Sequence, residues 1–370
     1  MEHHPGHLIP VALAVLELLV LLLPLPLIVV ANWHDQPPRG GGILARGAAF
    51  LGATVWMLLA LVAALCVLLA LVTVAFTPAR GSSGGLAVYA LVLLLTGAAA
   101  AALVAEPVRA AVARVLPVDP RSAVHGTALV LTTVLVGSQL ANQLSVDVLS
   151  QQASTGTALG PVDLVAQELP FLLAAALGVG LFIRRGPRAT LNRLGFVRPT
   201  PWQIVLALGA AFVFFGFGSA MDNLGHALSP DTAQKVDAAN QRLFGQLGNP
   251  VGIATIALSA GICEEALFRG AMQPRLGILW TALVFTTVHT QYGLSLDAVA
   301  VLILAIGLGL LRRFTNTTAS TTCHVVYNTL VGVEVGAALL GPTVIVGGAL
   351  VLATIAAFLT GRLGSLRTAP

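Results

Sequence analysis

"GICEEALFRG", residues 261–270, sets two glutamates side by side with an arginine four residues on, inside a run that is otherwise apolar. An ionisable group within a membrane span costs about 2.5–3.5 kcal/mol on insertion scales, so its presence there points to function. On an α-helix Glu265 and Arg269 stand at i and i+4 and can neutralise one another. Glu264 points roughly 100° away and lacks that partner. One glutamate then serves as a structural clasp and the other is free for chemistry. The bland alternative is a topogenic pair at a helix end, with its side chains snorkelling to the interface.

The rest of the chain decides the setting. Of its 370 residues 57% are hydrophobic and only 9% charged, with a mean hydropathy of +0.91. Soluble domains run near a quarter charged, which excludes an ordinary globular protein. Apolar runs of about 18 residues or more recur along the length, each long enough to cross a hydrocarbon core. Strict period-2 alternation is absent, so helices rather than a barrel satisfy the backbone in lipid. The sequence predicts an all-α, polytopic transmembrane helix bundle of about eleven spans. They lie near 8–31, 47–77, 85–105, 124–148, 166–183, 202–221, 250–268, 276–292, 295–311, 321–340 and 343–360. No Lys or Arg precedes the first, which therefore reads as a retained span and not a cleaved signal. The second is long for one crossing. The fourth is interrupted by Ser138, Gln139, Asn142, Gln143 and Ser145, which either line a wet cavity or bond to neighbouring helices.

Of 19 basic residues 18 are arginine, and they gather in short loops, not in one stripe or tail. That distribution belongs to membrane topology and gives no reason to expect nucleic acid. With the N-terminus outside, eleven spans leave Arg80, Lys235 and Arg242 in outer loops and the other sixteen basic residues in inner ones. The expectation is an integral protein of the plasma membrane with a cytoplasmic C-terminus. Two regions follow: 1–183, about five spans with no reactive constellation, and 190–362, about six spans carrying every intramembrane cluster of ionisable groups. The stretch "RRGPRATLNRLGFVRP" joins them.

Two more clusters lie in the second region. "FTTVH" puts Phe285 and His289 on one helix face, and "HVVYN" does the same for His324 and Asn328. With a spare glutamate they supply a base, a second proton-handling group and neutral donors for an oxyanion. Depth is a difficulty. Glu264 and His324 fall near the inner ends of their spans, whereas His289 falls about 13 residues, roughly 20 Å, beyond its own inner end. A tilt or an interfacial start to the eighth span is needed to bring it back.

Taken in order, E-E-x-x-x-R, F-x-x-x-H and H-x-x-x-N, preceded by "LGFVRP" at 194–199, resemble the CAAX-protease and bacteriocin-processing (CPBP, or ABI) family of glutamic intramembrane proteases. The resemblance covers about residues 190–360. It implies an intramembrane endopeptidase in which Glu264, with His289, activates a water. His324 and Asn328 would hold the scissile carbonyl and its oxyanion, Glu265 and Arg269 would shape the site, and Phe285 would pack below it. It implies no metal and no cofactor, and a membrane-associated protein or peptide as substrate. Three rivals stand beside it. Glu264, His289 and His324 could form a zinc set, although no H-E-x-x-H is present. Cys263 and Cys323 adjoin the motifs, yet neighbouring helical residues diverge and a buried cysteine is usually a small hydrophobe. A transporter or silent scaffold suits the span count but lacks paired broken helices around a midplane site.

Overall fold

The computed structural model describes residues 22–36, 42–76, 83–333 and 337–360. Most of the first expected span, together with Arg39, Arg80, Arg362 and Arg367, lies outside the described residues. Those described form a helical bundle without a β-strand. Its first part comprises α1 (Pro24–Asp35), α2 (Ile43–Ala53), α3 (Val55–Phe76), α4 (Ser83–Val104), α5 (Glu106–Val112), α6 (Ala123–Ser145), α7 (Val148–Thr155) and α8 (Pro161–Gly178). Then follow α9 (Pro187–Leu194), α10 (Pro201–Leu228), α11 (Pro230–Phe244), α12 (Pro250–Glu264), a π-helical turn (Glu265–Met272), α13 (Gln273–Val288), α14 (Leu296–Phe314), α15 (Thr317–Gly332) and α16 (Ala337–Leu359).

Local chemistry sets the ends. Proline opens α8, α9, α10, α11 and α12, where its missing N–H is no loss. Ser295 and Asn316 cap α14 and α15, the Asn316 side chain accepting from Ala319 N at 2.9 Å. Seven stretches among the described residues are long and apolar enough to cross a membrane: Val55–Ala75, Gly84–Val104, Ala123–Ser145, Pro161–Gly178, Pro201–Leu228, Pro250–Val288 and Ala338–Leu359. α14 stays outside that set through its charged ends and α15 through its length. The chain is an integral membrane protein.

Three expectations change in detail. The second span is two helices, α2 and α3, broken at Thr54, whose hydroxyl turns back to Leu51 O at 2.7 Å. In the fourth span the Ser138 and Ser145 hydroxyls bond to carbonyls of their own helix, Leu135 and Asn142, and not to a neighbour. The seventh and eighth spans are one helical stretch, Pro250–Val288, of 39 residues. At 1.5 Å per residue that is about 58 Å, nearly twice a hydrocarbon core, so it must fold back. It does so at Gly277, whose φ of 76° a side chain would strain.

Packing then divides the bundle in an unexpected way. α3, α4 and α6 form one group, with α1 laid against α6. α10 holds α14, α15 and α16, while α12 lies between α15 on one flank and α8 on the other. The boundary expected after residue 183 thus separates α8 from the helix it packs on.

Candidate active site

The π-helical turn carries the opening motif. Its extra residue per turn is rare and recurs at functional sites, and here it brings Gly270 against the end of α9. A Cβ at Gly270 would stand 2.8 Å from the Leu194 carbonyl oxygen, a contact with backbone that cannot give way. The "LGFVRP" segment in turn clamps the start of α15: Thr317 donates to Leu194 O through its hydroxyl (2.6 Å) and to Gly195 O through its N–H (3.0 Å), and Thr318 donates to Val197 O (2.8 Å). The π-helical turn, the "LGFVRP" segment and the start of α15 are therefore joined at one end of the bundle.

Glu265 and Arg269 are both fully buried, with Arg269 Nε 3.5 Å from Glu265 Oε1. The guanidinium also lies 4.7 Å over the Phe285 ring, which attracts it through the ring face. Phe285 is the floor of the cluster: Phe268 meets it edge-on at 5.0 Å and the His289 ring lies at 4.5 Å. Glu265 has a second partner that the helix-face argument did not supply, His324, whose Nδ1 is 3.2 Å from Oε1.

Glu264 stands apart from that pair. Its Oε1 is 3.8 Å from His289 Nε2 and its Oε2 is 3.8 Å from His324 Nε2. These separations exceed a hydrogen bond and suit groups bridged by water. Each imidazole is oriented through its other nitrogen. His289 Nδ1 is 2.7 Å from the Phe285 carbonyl and so donates to it, leaving Nε2 as the acceptor facing Glu264. His324 Nδ1 is turned the same way by Glu265. Asn328 lies one turn beyond His324 on α15, half-buried, and outside the hydrogen-bonded cluster.

The depth difficulty resolves at Gly277. Glu264 is thirteen residues before it and His289 twelve after, so a fold-back there returns the two to one level. From the other flank, Glu264 is about 21 Å along α12 from Pro250, and His324 about 10 Å along α15 from Thr317. The sum matches a core of roughly 30 Å, with the cluster nearer the arginine-rich side.

Beyond His289 a short turn, Thr290–Tyr292, closes the site, and Tyr292 stacks on the imidazole at 6.3 Å. Two polar helices cover it. Gln152 of α7 donates to Thr290 Oγ1 (3.0 Å), and Leu149, Val236, Ala239 and Tyr292 pack together. Lys235 of α11 holds α7 through Asp147 at 2.6 Å, and that bond, with those from Ser150, holds the aspartate at about 2.

Glu168 was not anticipated. It lies on α8, is buried, and faces α12 within electrostatic reach of Glu264. Its signal in the sequence is the ionisable residue in "QELPF", inside an apolar span of the region expected to hold no reactive group. Among the described residues, the His, Asp, Glu and Cys atoms that converge within 4.8 Å as a metal site would need are those of the exposed Asp222, His226 and Asp237. Glu264, His289 and His324 do not gather that closely.

Comparison with known proteins agrees with the ordered motifs. No curated protein and no solved structure matches the chain. Residues 246–330, from the entry to α12 almost to the end of α15, match the family model described as Rce1-like, type II CAAX prenyl endopeptidase. The segment that carries Glu264, His289 and His324 is therefore similar to Rce1-like proteins of the CPBP family.

Proposed function

We propose that this chain is an intramembrane endopeptidase in which Glu264, flanked by His289 and His324, activates a water. The matched family supports a CAAX-type membrane protease. The observation that carries the finer reading is the placing of one carboxylate 3.8 Å from two imidazole nitrogens, each turned toward it by a bond on its far side. A water in that gap gives its proton to Glu264 while its oxygen attacks the scissile carbonyl. Glu264 then passes the proton to the leaving amine as the C–N bond breaks, yielding an amine and a carboxylic acid that keeps the other proton of the water. His289 Nε2 accepts from the same water; His324, its Nδ1–H held by Glu265, presents its Nε2 lone pair beside it, and the amide of Asn328, one turn further on α15, is the donor for the oxyanion. Residues 190–362 form the protease unit, and the substrate is a membrane-associated protein or peptide.

The membranes of cells carrying the wild type and Glu264→Gln test this. A membrane-anchored protein or peptide should accumulate uncut in the variant; identical membrane proteomes would overturn the reading. Purified protein should keep its activity after dialysis against a strong chelator, and loss restored by zinc would move the chemistry to a metalloprotease. The same proposal sets the C-terminus in the cytoplasm. A reporter fused after Arg367 should be cytoplasmic and one inserted near Lys235 should face the opposite side, and a shared compartment would break the topology.

A further inference from the structure

Glu168 is a buried carboxyl that the proposed reaction leaves without a task. It stands on a stripe of α8, Leu164–Glu168–Phe171–Ala175, that packs along α12 and the π-helical turn. Leu164 joins the cluster with Leu247 and Ile256, Phe171 meets Phe268 at 5.9 Å, and Ala175 packs with Ala266. Between those contacts Glu168 falls on the level of α12 that carries Cys263 and Glu264, and both are within its electrostatic reach.

A structural role is open to such a residue, because Pro170 leaves the Ala166 carbonyl without a backbone donor. Glu168 makes no hydrogen bond to it, and its Oε2 is buried without a partner. An unpartnered carboxyl in a span is a cost that packing does not repay.

Counting charges assigns it a state. Arg269 is the cation of Glu265, and among the described residues neither Glu264 nor Glu168 has a Lys or Arg paired with it; as the base, Glu264 is the one that must be ionised. Two carboxyls in one poorly solvated site do not both ionise. We propose that Glu168 and Glu264 share a single proton, and that Glu168 is the positioning residue that keeps it, so that Glu264 remains the ionised base. When Glu264 takes a proton from water and returns it to the amine, Glu168 ends as it began. This inference rests on the reading of Glu264 given above. The groups that bear on Glu168 are Glu264 and Cys263 on α12. On the π-helical turn Glu265 and Arg269 answer one another, and α1 meets α8 through Asn32, which donates to Leu177 O at 3.0 Å.

The solubilised full-length chain can be read by infrared spectroscopy without any substrate. The wild type should show the carbonyl stretch of a protonated carboxylic acid at neutral pH, and Glu168→Gln should lose it; its absence from the wild type, or its survival in the variant, overturns the proposal. With the protein found uncut in the Glu264→Gln membranes as substrate, the pH–rate profile should be a bell, since only the singly protonated pair is active. Glu168→Gln should move the alkaline limb upward by about one pH unit or more, and Cys263→Ala should leave it in place. Superimposed wild-type and Glu168→Gln profiles would make Glu168 merely structural. Should Glu168→Gln not fold, the wild-type titration decides: the band must vanish in step with activity. Glu264→Gln separates the two failures. If it keeps normal cleavage the protease reading falls, whereas if it is inactive and the Glu168→Gln profile is unshifted, only the shared proton falls.

Discussion

Glu264→Gln is expected to fold normally and lose cleavage by about 10²–10⁴-fold, the usual worth of general acid–base help. Glutamine keeps the volume and an acceptor oxygen, and the carboxylate it replaces makes no hydrogen bond that holds the bundle, its nearest partners being 3.8 Å away. The amide cannot take a proton from water. Circular dichroism and thermal melting report the fold, and accumulation of the uncut substrate reports the chemistry. Near-normal proteolysis in this variant means that the base lies elsewhere.

Glu265→Gln should fail differently. It strands Arg269, which has 1% of its side chain exposed and no hydrogen bond from any guanidinium nitrogen. Removing one partner of a buried ion pair costs about 3–5 kcal/mol, because the remaining charge is left in a poorly solvated place. The variant should express poorly or melt early. Adding Arg269→Gln removes the stranded charge and should recover part of the stability. It should not recover activity, since His324 Nδ1 still lacks the carboxylate that orients it. A well-folded Glu265→Gln with normal cleavage would mean that neither the clasp nor the orientation of His324 matters.

The class of the molecule was legible from composition, because lipid demands helices and a charge deficit of this size leaves few other solvents. The inequality of the two glutamates was legible too. Any regular helix turns adjacent side chains well apart, and the pairing of Glu265 with Arg269 survives the π-helical winding because residues four apart still share a face. The order of the three motifs carried the family resemblance, and the matched segment 246–330 spans the same residues.

What one-dimensional reading could not reach were contacts between segments far apart in the chain. Helical spacing says which residues share a face, but it does not say what that face meets. His324 lies 59 residues from Glu265 and is bonded to both glutamates' neighbourhood only because α15 packs on α12. The level of His289 depended on one backbone angle at Gly277, which permits a fold-back that hydropathy reads as two separate crossings. Glu168 is the extreme case. In the sequence it is a single acid nearly a hundred residues before Glu264, in a region set apart by a basic linker. Tertiary packing joined α8 to α12 because each buries an apolar stripe against the other, and that burial carried a third carboxyl to the edge of the site.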